Sequence, residues 1–150
     1  VGDGWWRDRL SDKIESLGLK DQLIMTGLVE PAKVSDMINA MDILVHPSYR
    51  EGLPRSLPQA LLCGVPVISY DVDGAGEVCL DRRTGLLVPP GELQALAQAV
   101  EKLLDDSQMR KDMGSRGRSF CLTRFDWRTM GQQIENEYQK LLNDHANKSS

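Results

Sequence analysis

The chain has 150 residues, 41% of them hydrophobic, and a net charge of −4. That length suits one domain with its own core. The acidic balance argues against a broad basic face for nucleic acid, and no apolar run approaches the roughly 20 residues a membrane-crossing helix needs. Cys63, Cys79 and Cys121 are odd in number and lack metal-ligand spacing. They read as buried free thiols in a reducing compartment, with Cys63 and Cys79 in apolar surroundings.

The chain opens on Val1-Gly2-Asp3-Gly4, without methionine, and reads as a piece of a longer protein. Val1 fits the last residue of a strand, with the next three as its turn. Trp6, Leu10, Ile14 and Leu17 recur at helical spacing and Gly18 is a stop. "QLIMTG", ending at Gly27, predicts a strand. Pro31 opens a helix with Val34, Met37, Ile38 and Met41 on one face, and "DILVH" (Asp42 to His46) is the next strand. Met25, Met37 and Met41 read as core. A helix through "LPQALLC" ends at Gly64 and Pro66; "VPVISYD" and "TGLLV" are strands, the second announced by the turn Asp81 to Gly85. Three helices close the chain: one on Leu93, Leu96, Ala97, Val100, Leu103 and Leu104, a polar one over Ser107 to Cys121, and one on Trp127, Met130, Ile134, Tyr138, Leu141 and Leu142. Residues 1–142 are expected to form the domain, and 143–150 a loose tail.

Short strands rich in Val, Ile and Leu alternate with helices, the pattern of an α/β, Rossmann-like parallel sheet with helices on both faces. Ligands bind such sheets beyond the carboxyl ends of the strands. Four loops are expected there: Gly2 to Gly4, Gly27 to Val29, the run after His46, and Asp71 to Glu77.

The run after His46 is "HPSYREGLPRSLPQA". It links a strand end to a helix start, where free N–H groups and the helix dipole attract phosphate. Gly52 permits close backbone approach, Pro54 suits the first helical turn, and Arg55 adds a cation beside a diphosphate. Glu51 can accept hydrogen bonds from sugar hydroxyls. A local account competes for Gln59: Ser56-Leu57-Pro58-Gln59 matches a capping box, in which Gln59 satisfies backbone alone.

"HPSYREGLPRSLPQALLCGVPVISYDVDGAGEV", followed by "TGLLVPPGELQALAQAV", resembles the C-terminal, donor-binding domain of retaining glycosyltransferases of the GT-B fold, family 4. The resemblance covers nearly the whole chain and rests on an ordered series: Pro-Ser, Glu-Gly, a position eight after that glutamate, Gly-x-Pro-Val, a Gly-Gly-x-x-Glu variant, and Gly-Leu-Leu-Val. It implies transfer of a sugar from a nucleotide-diphosphate sugar, such as a UDP-sugar, with retention of configuration and no metal or other cofactor. The acceptor would bind a missing N-terminal domain. The Trp127 helix resembles the segment that packs back toward that domain, and the family often works in the cytoplasm at the inner membrane face. Any membrane association would come from parts outside these residues.

By the same resemblance, Glu51 is the catalytic residue and contacts donor hydroxyls. Ser48, Gly52, Leu53 and Arg55 line the sugar and diphosphate, and Gly27, Leu28 and Val29 lie near the base. Gln59 stands where the family carries a glutamate for the nucleotide ribose, and Asp73 stands where it carries the first glycine of the Gly-Gly pair. The family's first strand of this domain, with the Arg and Lys that grip the diphosphate, would precede Val1, so this chain alone is expected to be inactive. A GT-B-type nucleotide-sugar epimerase and a non-catalytic binding or scaffold domain are the alternatives. His46 and Glu77 weigh between structural and site roles, and Trp5 and Trp6 read as residues of core packing or of burial against the missing domain rather than of base stacking. Lys111, Arg116 and Arg118 read as a solvated face, and His145 has no assigned role.

Overall fold

The computed structural model describes residues 3–148. Expectations for Val1, Gly2 and the His145 side chain lie outside the described residues. The chain divides into two compact units, Val1–Met37 and Ile38–Ser150.

In the first unit, α1 (Arg7–Ser16) forms where the apolar spacing predicts it and buries Ile14. Gly18, at φ +66°, follows it in the left-handed conformation that ends a helix. Trp5 and Trp6 do not join the core of the described residues: Trp5 is 95% exposed, and Trp6 carries Arg9 over its ring at 4.9 Å. "QLIMTG" does not form the predicted strand. Leu23 to Thr26 have no ladder partner among the described residues, and Ile24 is 88% exposed. A strand needs a neighbouring backbone to bond along its length, and within this run only Gly27 sits in a bridge. The single 3₁₀ turn Pro31–Lys33 leads into α2 (Val34–Asn39).

The second unit holds the sheet. Strands β1 (Leu44–His46), β2 (Val67–Tyr70) and β3 (Gly85–Val88) run parallel in the order β1-β2-β3. Between them lie α3 (Ser56–Leu62) and α4 (Ala75–Val78), and after them α5 (Leu93–Asp105), α6 (Ser107–Arg124) and α7 (Trp127–Lys148). Each strand lies where the sequence predicts one. Every residue of β2 is buried, and since side chains alternate along a strand, both of its faces are covered. One face joins Ile68 and Tyr70 to Leu86, Val88, Ala99 and Leu103, with Met113 of α6. Leu57, Ala60 and Leu61 of α3 are fully buried as well.

Met113 is the buried methionine, whereas Met25, Met37 and Met41 are half-buried. Cys79 and Cys121 are buried and Cys63 is only half-buried, all three as free thiols. The α7 helix continues past Leu142 to Lys148, because no glycine or proline interrupts "NDHANK". Its apolar residues Trp127, Met130, Ile134, Tyr138, Leu141 and Leu142 are exposed.

Candidate functional site

Because β1, β2 and β3 are parallel, the loops that follow them leave one edge of the sheet. Residues 47–55 follow β1, 71–74 follow β2, and 89–92 follow β3. The three loops touch. Gly74 donates its N–H to the Gly52 carbonyl at 3.1 Å, and the Glu51 N–H donates to Asp73 Oδ2 at 3.0 Å. The Tyr49 and Tyr70 rings lie 5.3 Å apart, and the Tyr49 hydroxyl lies against Gly91. Behind them, Ser69 Oγ donates to the His46 carbonyl at 3.2 Å, tying β1 to β2 at the level of the site.

Glu51 stands in the loop that follows β1. Its Oε1 lies 3.5 Å from His46 Nε2, and the Glu51 side chain is 36% exposed. One end of the carboxylate thus faces a strand residue while the group still opens to solvent. His46 is more than a strand-end residue, since its imidazole faces the carboxylate the sequence singles out.

Downstream of Glu51 the backbone is unspent. The N–H groups of Gly52, Leu53, Arg55 and Ser56 make no hydrogen bond among the described residues. Pro54 has no N–H and is buried, and its carbonyl accepts from Leu57 at 3.2 Å, which starts the helical turn. Arg55 is exposed and forms no ion pair among the described residues. With only seven residues in α3, the individual loop amides contribute more to any anion field than the helix dipole does.

The Ser56–Gln59 capping box does not form. Ser56 is already the first helical residue, Arg55 occupies the cap, and no side chain caps α3. The helix begins one residue early because Pro54 presets the turn. Gln59 is exposed, and its amide makes no side-chain hydrogen bond among the described residues. Ser48 Oγ turns back to the Arg50 carbonyl at 3.3 Å, within its own loop. Glu77 is exposed on α4. Gly27, Leu28 and Val29 belong to the first unit, where Gly27 takes φ +67° and Leu28 is 83% exposed.

Asp73 is the contact that sequence reasoning left open. It sits at φ +42°, a left-handed conformation unusual for a residue with a Cβ. The signal was present in Asp73-Gly74, since Asp tolerates that region better than most residues.

A parallel α/β sheet with helices around it and a loop-built site at its carboxyl edge defines a Rossmann-like domain. The family model described as glycosyl transferases group 1 matches residues 1–120, and the chain belongs to that family. It is 29% identical over 141 residues to an alpha-D-kanosaminyltransferase of Streptomyces kanamyceticus, covering 94% of this chain and 36% of the relative. It is 35% identical over 111 residues to a 2-deoxystreptamine N-acetyl-D-glucosaminyltransferase of Streptomyces fradiae, covering 74% and 26%. Among solved structures, Anabaena HepE in complex with UDP superposes with a TM-score of 0.86 at 30% identity, over 93% of this chain and 40% of that one. The C-terminal domain of a group 1 family glycosyl transferase from Francisella tularensis gives 0.74 at 25% identity, over 81% and 63%. The resemblance read from the motif series, to the C-terminal domain of a GT-B glycosyltransferase, is borne out. The chain spans about a third of the length of these curated relatives, which it covers to 36% and 26%. Among the described residues, no helix is long and apolar enough to cross a membrane.

Proposed function

We propose that the chain is the donor-binding half of a glycosyltransferase that moves a sugar from a nucleotide-diphosphate sugar to an acceptor with retention of configuration. The observation that carries this reading is one juxtaposition at the sheet edge. Glu51 is followed in the same loop by four N–H groups, of Gly52, Leu53, Arg55 and Ser56, that no acceptor among the described residues uses. A carboxylate suits sugar hydroxyls, and clustered amides suit the diphosphate that follows a sugar. As the bond from the anomeric carbon to the diphosphate oxygen breaks, negative charge grows on the leaving group. Fixed N–H groups and the Arg55 cation stabilise that charge without reorganising, so this reading needs no metal. HepE, a structural relative at about 30% identity, has been solved with UDP and with UDP-glucose, which makes UDP-glucose the first donor to try. Gln59 takes the nucleotide ribose, and Ser48 shapes the sugar side. The acceptor belongs to sequence outside these residues, toward which the exposed apolar face of α7 packs.

Calorimetry on the full-length protein with UDP-, GDP- and ADP-glucose tests the reading. One of the three is expected to bind more tightly than its free nucleoside. Glu51→Ala is expected to weaken that sugar nucleotide roughly 10-fold and to lower turnover roughly 100-fold or more. If no sugar nucleotide outbinds its nucleoside and Glu51→Ala changes nothing, the proposal fails. An NMR assay of the product anomer decides retention.

A further inference from the structure

We infer that Asp73 is a positioning residue for Glu51, holding the donor carboxylate in register through its main chain. The inference rests on the donor-site reading of Glu51 but assigns a role to a residue that departs from the family's pattern. Asp73 Oδ2 accepts the Glu51 N–H at 3.0 Å across 22 positions of sequence. The next residue completes the clamp, with the Gly74 N–H donating to the Gly52 carbonyl at 3.1 Å. Gly74 is buried, and a Cβ there would overlap that carbonyl oxygen, so the two loops are in direct backbone contact. Together these bonds fix both peptide groups that flank the Glu51–Gly52 junction. The His46 imidazole lies near the other end of the same residue, with Nε2 at 3.5 Å from Oε1.

Two features separate this role from ordinary loop packing. Asp73 holds φ +42°, where glycine would sit without the strain a Cβ incurs. A residue kept for the backbone alone would therefore be better as glycine, and the side chain must supply what glycine cannot. The clamp also sorts the loop amides. Asp73 takes the Glu51 N–H and leaves those of Gly52, Leu53, Arg55 and Ser56 for an anion. Removing the acceptor should then loosen Glu51, and the sugar with it, and leave the amides that face the diphosphate in place.

The test compares Asp73→Gly with Asp73→Asn in the full-length protein. Asparagine keeps an acceptor oxygen and tolerates positive φ, whereas glycine keeps only the backbone freedom. Amide hydrogen exchange reads the clamp with no ligand present: Glu51 N–H protection should persist in Asp73→Asn and disappear in Asp73→Gly, with Tm unchanged or raised in the glycine variant. Protection that survives in Asp73→Gly overturns the inference. With ligand, Asp73→Gly should weaken UDP-glucose roughly 5- to 10-fold and UDP less than about 2-fold, and add little to Glu51→Ala in a double-mutant cycle. Equal losses for UDP and UDP-glucose also overturn it. A wild-type protein that binds neither UDP nor UDP-glucose counts against those donors, while the exchange measurement still decides the clamp.

Discussion

Gln59 marks the nucleotide end of the proposed site, and its surroundings make its role testable. It lies on the exposed side of α3 with an unpartnered amide among the described residues, so replacing it leaves the helix intact. A neutral acceptor contributes about 0.5–1.5 kcal/mol to a hydrogen bond, against about 1.5–3 for a charged one. Gln59→Ala is therefore expected to weaken UDP binding roughly 3- to 10-fold, and Gln59→Glu to strengthen it by a similar factor. Thermal stability should stay within ~0.5 kcal/mol of the parent in both variants. Calorimetry with UDP checks the affinities. Unchanged UDP affinity in both would remove Gln59 from the site.

The α6 helix holds α3 and α5 in place by two kinds of contact. Arg118 donates to the Leu62 carbonyl near the end of α3, and Arg110 donates to the carbonyls of Leu103 and Leu104 near the end of α5. Both bring a cation to a helix C-terminus, where the dipole favours it. Arg118 thus stays exposed, as its charged face predicts, and also ties α6 to the end of α3. The second contact is close approach at glycine. A Cβ on Gly114 would overlap the Gly64 backbone carbonyl, and one on Gly117 would overlap the Leu61 side chain. Alanine gains about 1 kcal/mol of helix propensity over glycine, but overpacking costs about 1–3 kcal/mol. Leu61 can rotate and the Gly64 backbone cannot. Gly114→Ala should therefore destabilise clearly, by about 2 kcal/mol or more, and Gly117→Ala by less, as urea unfolding would read. Since α3 carries Gln59 and starts beside Glu51, Gly114→Ala should also weaken donor binding.

The thiols report on the integrity of the second unit. Burial pushes Cys79 up to about 12, with Asp81 and Asp71 adding to the effect, and burial alone pushes Cys121 up to about 11. Both are protonated in the fold and ionise more easily once unfolded. Their contribution to stability is complete below the ordinary thiol range of about 8.5. It is lost as pH rises from there toward the folded values near 11 and 12. At pH 8 a thiol reagent should modify the half-buried Cys63 and spare Cys79 and Cys121 until denaturant is added. Midpoint temperatures should fall progressively above about pH 9, by calorimetry. Rapid labelling of all three thiols at pH 8 would contradict the buried placement.

Apolar periodicity and turn residues were enough to place β1, β2 and β3, the helices α1, α3, α5, α6 and α7, and the Glu51 loop at a strand end, because these depend on neighbours a few residues apart. The ordered motif series carried the family for the same reason. Other features depended on groups distant in sequence. "QLIMTG" has strand composition, but its ladder must come from another segment. The match to a capping box at Ser56 was overridden by Pro54, which begins α3 early. The His46–Glu51 contact needs the loop to fold back on its own strand, and the Asp73 clamp joins loops 22 positions apart. A side chain's hydrogen-bond partner is set by where the backbone brings acceptors together. Whether Asp73 faced ligand or the Glu51 N–H therefore depended on the register of β1 against β2.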